Sequence, residues 1–593
     1  MRPLRDRYRQ LLSAWPGAVS DRLHRIPHRA GQVCFGPGHH GHWALQANNT
    51  AASAFAVLAS DPEVAVDDTG MPREDMRECA LGMIRFALAS HMSGPDEATD
   101  GESWGHSWIS VLCLERLMHG LDALGDGLPE PERDALRDVL LSEADWLLDK
   151  YEVVAGLVEN NKPESNIWNG CLLHRVARMI PDAPRADAYR EKGTRFLMNG
   201  ISVPADAASG QLVDGRSVAD WHVGANMFDT MACNHHRYLN VGYMVICLSN
   251  IAMFHFACRH HGWDIPEALQ HRAEELWQLV KSCTFPDGRL LRIGGDTRVR
   301  YCYCQDYAVP AWLWARDQLR DPDAAVFERG WLRQLEQETE ANGDGMFLTE
   351  RLSRLDRVSP LYYLRLEGDR ACTLSMGMLW HRFFDKQWEE FAPEPAESAA
   401  PAVPVRLWSD AYHGSSFVRG PHRTASWTWR AAASPQGLCL PPHASSAAEW
   451  AGNLAGRVLG MGRLNASQCE VTQNATFSGG FRTCGTVTVR SQVPVAEGDF
   501  ERDVAVVDLA CVALPDDRTV IVLQRAHMLL HAYLREIKGL FLQIPNDIFN
   551  DGTRRFVGQN LDRKLQGPSP AAETIVVDGG WLNVDDELSV MMG

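Results

Sequence analysis

Apolar positions recur at three- and four-residue spacing through ECALGMIRFALASH (78–91), SWISVLCLERLMHGL (107–121), PERDALRDVLLSEADWLLDKY (131–151) and IWNGCLLHRVARMI (167–180). The same period runs through DAYREKGTRFLMNGI (187–201), residues 241–258, PEALQHRAEELWQLVKSC (266–283) and VPAWLWARDQL (309–319). Such spacing predicts amphipathic or buried helices of ten to twenty residues. Turn signals separate them: Asp96 after SGP, Pro181-Asp182, Pro286-Asp287-Gly288 and Asn342-Gly343-Asp344-Gly345. Residues 1–390 therefore read as one helical domain of side-by-side helical hairpins. The Pro/Ala/Glu-rich stretch 391–405 reads as a linker or surface crossover. Beyond it the period shortens to two in SSFVRG, TASWTWRAAA, GTVTVRSQVPV, DVAVVDLACVAL, TVIVLQRAHMLL and ETIVVDGGWLNV. Residues 406–593 are accordingly expected to form an antiparallel β-sandwich. The closing DDELSVMMG offers no obvious strand partner.

One stretch breaks the helical pattern with chemistry. Residues 221–256, WHVGANMFDTMACNHHRYLNVGYMVICLSNIAMFHF, bring Asn234, His235, His236, Arg237, Tyr238, Asn240 and Tyr243 together ahead of an apolar run from Met244 to Phe256. Rings and charges at the mouth of a buried helix are costly to desolvate without partners, so a site is a better reading than a polar helix start. Two more segments belong with it. NNKPESNIWNG (160–170) places Asn166 before a helix, where it serves as an N-cap or meets a substrate, with Trp168 beside it in the core or the cleft. RIGGDTRVRYCYCQDY (292–307) follows a PDG turn and offers Arg292, Arg298 and Arg300, suited to a carboxylate, although such turns also occur as solvated faces. GESWGHSW (101–108) supplies Trp104, His106 and Trp108, rings on which a pyranose can stack or which fill a core.

Composition narrows the classes. The chain has 593 residues, too many for one core, with 45% hydrophobic and 23% charged residues, as in ordinary globular proteins. A net charge of -18 argues against a general nucleic-acid binder but leaves room for an acidic sugar in a local Arg/His pocket. No run of about 18 uncharged apolar residues stands out, so no membrane span is expected. The N-terminal MRPLRDRYRQLLSAWPG lacks the apolar core of a secretory signal, which favours a cytoplasmic protein, periplasmic or secreted only if a leader has been trimmed. Fifteen scattered cysteines, with Cys113, Cys247 and Cys258 inside apolar runs, fit buried thiols in a reducing compartment. Neither a phosphate-cradling Gly-Lys-Ser/Thr nor a strand-led GxGxxG is present, which removes most nucleotide-dependent alternatives.

Asn, His, Tyr and Arg are the set needed to cut a 4-linked uronate without water. An amide or guanidinium neutralises the carboxylate, a His or Tyr takes the proton beside it, and a Tyr hydroxyl protonates the leaving oxygen. The segment ESNIWNGCLLHRVARMI… resembles the catalytic Asn-bearing segment of heparinase II/III-type and alginate-type polysaccharide lyases. The order HHRYLNVGYMVICLSNIA…FPDGRLLRIGGDT is similar to their Tyr/His-bearing helix start, PDG and GD turn. His235 or His236 with Tyr243 also resembles the arrangement in hyaluronate and chondroitin AC lyases. The resemblance covers about residues 100–310 in motifs. It implies an N-terminal (α/α) toroid followed by an antiparallel β-sandwich, and catalysis by Asn166, His235, His236, Tyr238 and Tyr243. Trp104, His106, Trp168, Arg237, Arg292 and Arg298 would bind the substrate, an acidic polysaccharide or oligosaccharide. Where that family carries Asn-His this chain has Asn166-Ile167, and Arg237-Tyr238 stands where it has Tyr-His. His413, His422 and His443 show no metal-ligand spacing, so neither metal nor cofactor is expected. The alternatives are an (α/α)-toroid glycoside hydrolase, with Asp220, Asp229, Asp296 and Asp306 as candidate carboxylates, and a non-catalytic carbohydrate-binding protein.

Overall fold

The computed structural model describes residues 3–297, 304–391, 396, 401, 406–433, 435–447, 453–461, 465–495, 498–567 and 574–593. A helix-rich N-terminal region is followed by a strand-rich C-terminal region with antiparallel sheets. The chain divides into two compact units. One comprises Met1–Met231, Gly242–Gln278 and Tyr301–Pro401; the other comprises Ala232–Val241, Leu279–Arg300 and Ala402–Gly593. Two segments from the helical part of the sequence thus belong to the strand-rich unit. Most of the linker stretch 391–405 lies outside the described residues.

In the helical unit the expected helices form, among them Arg73–Ala89, Ser110–Leu124, Glu130–Lys150, Pro163–Met179, Ala186–Met198, Val241–His261 and Ala308–Gln318. Three more, Ala324–Asn342, Thr349–Val358 and Pro360–Phe391, follow Ala308–Gln318, and Leu4–Ser13, His42–Ser60 and Ala273–Ser282 also form. Gly343, in the left-handed conformation at φ 67°, ends the first of these as a C-cap that a side chain would strain. Helices adjacent in sequence pack together, as Pro163–Met179 does on Ala186–Met198, and the first helix, Leu4–Ser13, packs on the last, Pro360–Phe391. Gly170 makes the first of these pairs close: a Cβ there would stand 2.9 Å from the Gly193 carbonyl oxygen. Trp15, Trp277, Trp312, Trp314, Trp331 and Trp388 are wholly buried and dominate the core. Val241–His261 is long and apolar enough to cross a membrane, but its apolar stretch is buried and it serves as the core helix, with only its C-terminal end reaching solvent. Cys113 and Cys258 are free thiols, and burial pushes them up to about 12 and about 11.

Two four-stranded antiparallel meanders make the centre of the second unit. One runs Arg406–Asp410, Ser415–Arg419, Thr424–Thr428, Gln436–Leu440; the other runs Asn465–Phe477, Gly480–Val495, Gly498–Ala513, Val520–Met528. Val418, Ala425, Trp427 and Trp429 of the first pack with Phe481, Val487, Val507, Leu509 and Cys511 of the second in one buried cluster. That is sandwich packing. A third sheet pairs Thr553–Gly558 with Leu561–Gln566 and Trp581–Val584, and Leu588–Met591 closes its edge. The C-terminal residues therefore do find a strand partner. Among the described residues of ETIVVDGGWLNV, the strand is Trp581–Val584.

Candidate functional site

The polar cluster does not sit in the first turn of a helix, as its sequence suggests. Asn234–His235 and Tyr238–Leu239 form a two-stranded hairpin, with His235 opposite Tyr238, and the helix begins only at Val241. The turn is His236-Arg237, at φ 56° and 71°. Two successive left-handed residues define a type I′ turn, which usually recruits Asn and Gly. Here neither is glycine, and each costs on the order of 1 kcal/mol in backbone strain. Strain of this kind collects where a side chain has to be held in one place. His235 and Tyr238 are buried at the base, whereas His236 and Arg237 are exposed at the tip. The two imidazoles meet edge to face, 4.5 Å apart.

Three elements of the strand-rich unit fix this hairpin. The Leu239 N–H donates to the Arg430 carbonyl at 3.3 Å, and Asn240 N–H to the Cys233 carbonyl at 2.9 Å. The segment around Arg292 presses against the hairpin through Gly294, where a Cβ would lie 1.8 Å from the Leu239 oxygen. That approach lets the Tyr238 hydroxyl donate to Asp296 Oδ1 at 3.3 Å and accept from the Thr297 N–H at 3.4 Å. Asp296 in turn pairs with the buried Arg292. On the other side Asn234 Oδ1 is 3.1 Å from His413 Nε2, and His413 Nδ1 is 2.7 Å from Asp410 Oδ2. Asp410 also accepts the His413 backbone N–H at 2.9 Å. A carboxylate at Nδ1 fixes that nitrogen as the protonated one. Nε2 then either carries a second proton for the Asn234 oxygen or accepts from an amide turned the other way. Either way, Asn234 is tied to a carboxylate-backed imidazole. His413, weighed in the sequence only as a metal ligand, is thus part of this cluster.

The helical unit holds Asn166, Trp104, His106, Trp168 and Tyr243. Asn166 is buried, and its amide is fully engaged. Nδ2 donates to the Val154 and Asn199 carbonyls, both at 2.7 Å, and Oδ1 accepts from Val154 N–H at 3.3 Å. Asn226 donates to the same two carbonyls, at 2.9 and 2.8 Å. Asn161 and Asn199 bind neighbouring main chain in the same manner. These amides knot three irregular segments that lack ladders of their own. Trp104 is buried and donates to the Ala87 carbonyl at 2.8 Å, a core role. His106 bonds Ser142 at 2.9 Å and stacks on Trp146. Trp168 is buried with its Nε1 unpartnered among the described residues. Its ring is 6.4 Å from that of Trp108, a partly exposed residue under the Lys162 ammonium at 4.1 Å. Tyr243 is buried in the first turn of Val241–His261. Arg298, with Arg300, lies outside the described residues.

Sequence reasoning passed over Glu164. It is buried one turn before Trp168, and burial, only partly offset by Lys162, pushes its carboxyl up to about 7. Oε1 accepts from Ser165 Oγ at 3.3 Å, and Oε2 has no partner among the described residues. The available signal was a Glu two positions before the Asn in PESN, inside a first helical turn. Asp410 and Asp296 also went unremarked as partners: one stands three positions before His413, the other four after Arg292.

No family model matches this sequence, and no curated protein matches it. Among solved structures, a heparinase III with methylated lysines aligns over 82% of this chain and 73% of its own length. The TM-score is 0.30 and the identity 10%, a likeness too remote to transfer residues or a substrate.

Proposed function

We propose that this protein is a polysaccharide lyase that cleaves a 4-linked, uronate-containing glycan by β-elimination, its helical unit closing as an (α/α) toroid. Packing of the first helix on the last supports the closed ring. The observation that carries the activity is the strained hairpin, which sets His235 opposite Tyr238. In the proposed reaction an imidazole of the hairpin takes the proton beside the carboxylate. The C–H electrons become the new ring double bond, and the bond to the 4-linked oxygen breaks. Tyr238, whose hydroxyl proton is directed at Asp296, protonates the leaving oxygen. Arg237 at the exposed tip and Asn234 face the uronate carboxylate, whose neutralisation makes the neighbouring hydrogen acidic. Asn166 would have to release a main-chain bond to share that task, so its first role is to hold the loops.

The hydrolase reading is weaker on the same geometry. Asp306 is buried against Arg370 and Trp331, Asp220 accepts from the hydroxyl of the N-cap Ser217, and Asp229 accepts from the Ala205 N–H. Asp296 is held by Arg292. A screen of uronate polymers and short uronides, followed by near-ultraviolet absorbance, tests the proposal. Elimination yields an unsaturated, absorbing product, and Tyr238→Phe should slow it by about 10²–10⁴-fold with the fold intact. New reducing ends without absorbance would mean hydrolysis. Wild-type elimination by Tyr238→Phe would remove this site assignment.

A further inference from the structure

The C-terminal end of the core helix carries a second group of ligating side chains, away from anything used above. His260 and His261 close Val241–His261, and Asp122 stands opposite at the end of Ser110–Leu124. One nitrogen of each imidazole and one Asp122 oxygen all lie within 4.8 Å of one another. His261 Nε2 and Asp122 Oδ1 are already 3.0 Å apart. Bonds of 2.0–2.1 Å in a tetrahedral site put ligand atoms about 3.4 Å from one another, so only a small closure is needed.

The two rings are held from behind. His260 lies flat on Phe383, 4.3 Å away at 11°, and His261 flat on Trp263, 4.5 Å away at 20°. The imidazoles meet at 70° with centroids 4.8 Å apart, so the stacking fixes their directions before any ligand arrives. All three residues reach solvent, which leaves room for water as a further ligand. The helix C-terminus adds the negative end of its dipole. The nearby cations are engaged: Arg259 with Asp317, Arg382 with the Ser60 carbonyl, Arg175 with Glu115. Asp122 also borders a cavity of about 10 Å³, room for one water, lined by His119. His119 is buried with Nδ1 unpartnered among the described residues.

We propose that Asp122, His260 and His261 bind one first-row divalent transition ion, with water completing its coordination. Two nitrogens and one oxygen suit zinc, cobalt, nickel or copper; calcium and magnesium prefer oxygen alone. A rival group, His91, His106 and Glu143, is less open to an ion. Glu143 already accepts from His91 Nε2, His106 N–H and Ser110 Oγ, and His106 Nε2 bonds Ser142.

The test uses the full chain stripped with a chelator and titrated with Co²⁺ and Zn²⁺, read by calorimetry and by cobalt visible absorption. One ion per chain is expected, weakened at least about tenfold in His260→Gln and in His261→Ala, since each removes a ligand. Calcium should give no heat. Zinc should raise the melting temperature of the wild type and not of the variants, and the variants should melt like the wild type when metal-free. Unchanged binding in both variants, binding lost instead in His91→Ala, or no binding tighter than millimolar would each overturn the proposal.

Discussion

Glu164 makes a prediction that can be worked through to its sign. Its carboxyl is wholly buried, has one weak partner in Ser165 and an unpartnered second oxygen, and is raised from 4.5 to about 7. A carboxyl raised on folding favours the protonated state in the folded chain, so the unfolded chain binds fewer protons between these two values. Stability must therefore fall as pH rises through that window, the reverse of a salt-bridged acid. About 2.5 units at 1.36 kcal/mol each caps the cost at roughly 3 kcal/mol above pH 8, against less than about 1 kcal/mol at pH 5. Glu164→Gln abolishes the titration while keeping Oε1. The new amide also leaves a buried donor unpaired, which costs about 1–3 kcal/mol at every pH, so the comparison between pH values isolates the charge. In denaturant melts, the variant should gain about 2 kcal/mol on the wild type between pH 5 and pH 8.5. An offset equal at both pH values would show that Glu164 is not held neutral in the folded chain.

Other substitutions probe the frame of the site. Gly294→Ala sets a methyl 1.8 Å from the Leu239 oxygen, so the two backbones must part; a loss of at least about 1–3 kcal/mol in denaturant midpoint and lower turnover are expected. Arg237→Gly relieves a residue at φ 71°. It should stabilise the chain by about 0.5–1 kcal/mol in melts while raising KM for the uronate substrate. Arg175 and Glu115 form a buried bidentate pair with both contacts at 2.9 Å. Arg175→Met alone should cost about 3–5 kcal/mol, and the double variant with Glu115→Leu should recover much of that in a double-mutant cycle.

What the sequence made legible, and what it hid, follows from the range of the forces involved. Residues 131–151 predict a helix and Glu130–Lys150 forms one, because local periodicity and core burial agree there. The meanders at Ser415–Arg419 and Gly498–Ala513 were likewise readable from alternation. Thr553–Gly558 and Leu561–Gln566 were not, since TRRFVG and LDRKLQ carry charges on an exposed sheet. The hairpin at residues 234–239 escaped for a different reason. Its turn runs through His236 and Arg237, and no composition rule assigns left-handed conformations to those residues. Asn166 was found as a residue but not in its setting. Its partners are the carbonyls of Val154 and Asn199, and contacts to main chain leave no mark on the side-chain pattern.

The two kinds of asparagine set a division of labour that the residue types alone do not reveal. Asn161, Asn166, Asn199 and Asn226 spend their amides on backbone groups of loops without ladders, and removing one would take away two or three hydrogen bonds to that main chain. Asn234 instead faces a side chain, His413, that is itself backed by Asp410. An amide locked to carbonyls cannot follow charge that develops on a substrate, whereas one facing an imidazole can. The same contrast separates Arg292, buried and paired with Asp296, from Arg237 at the exposed turn. A reacting group needs a fixed position, and under the proposed lyase reading the strained turn supplies it for Asn234, His235, Arg237 and Tyr238.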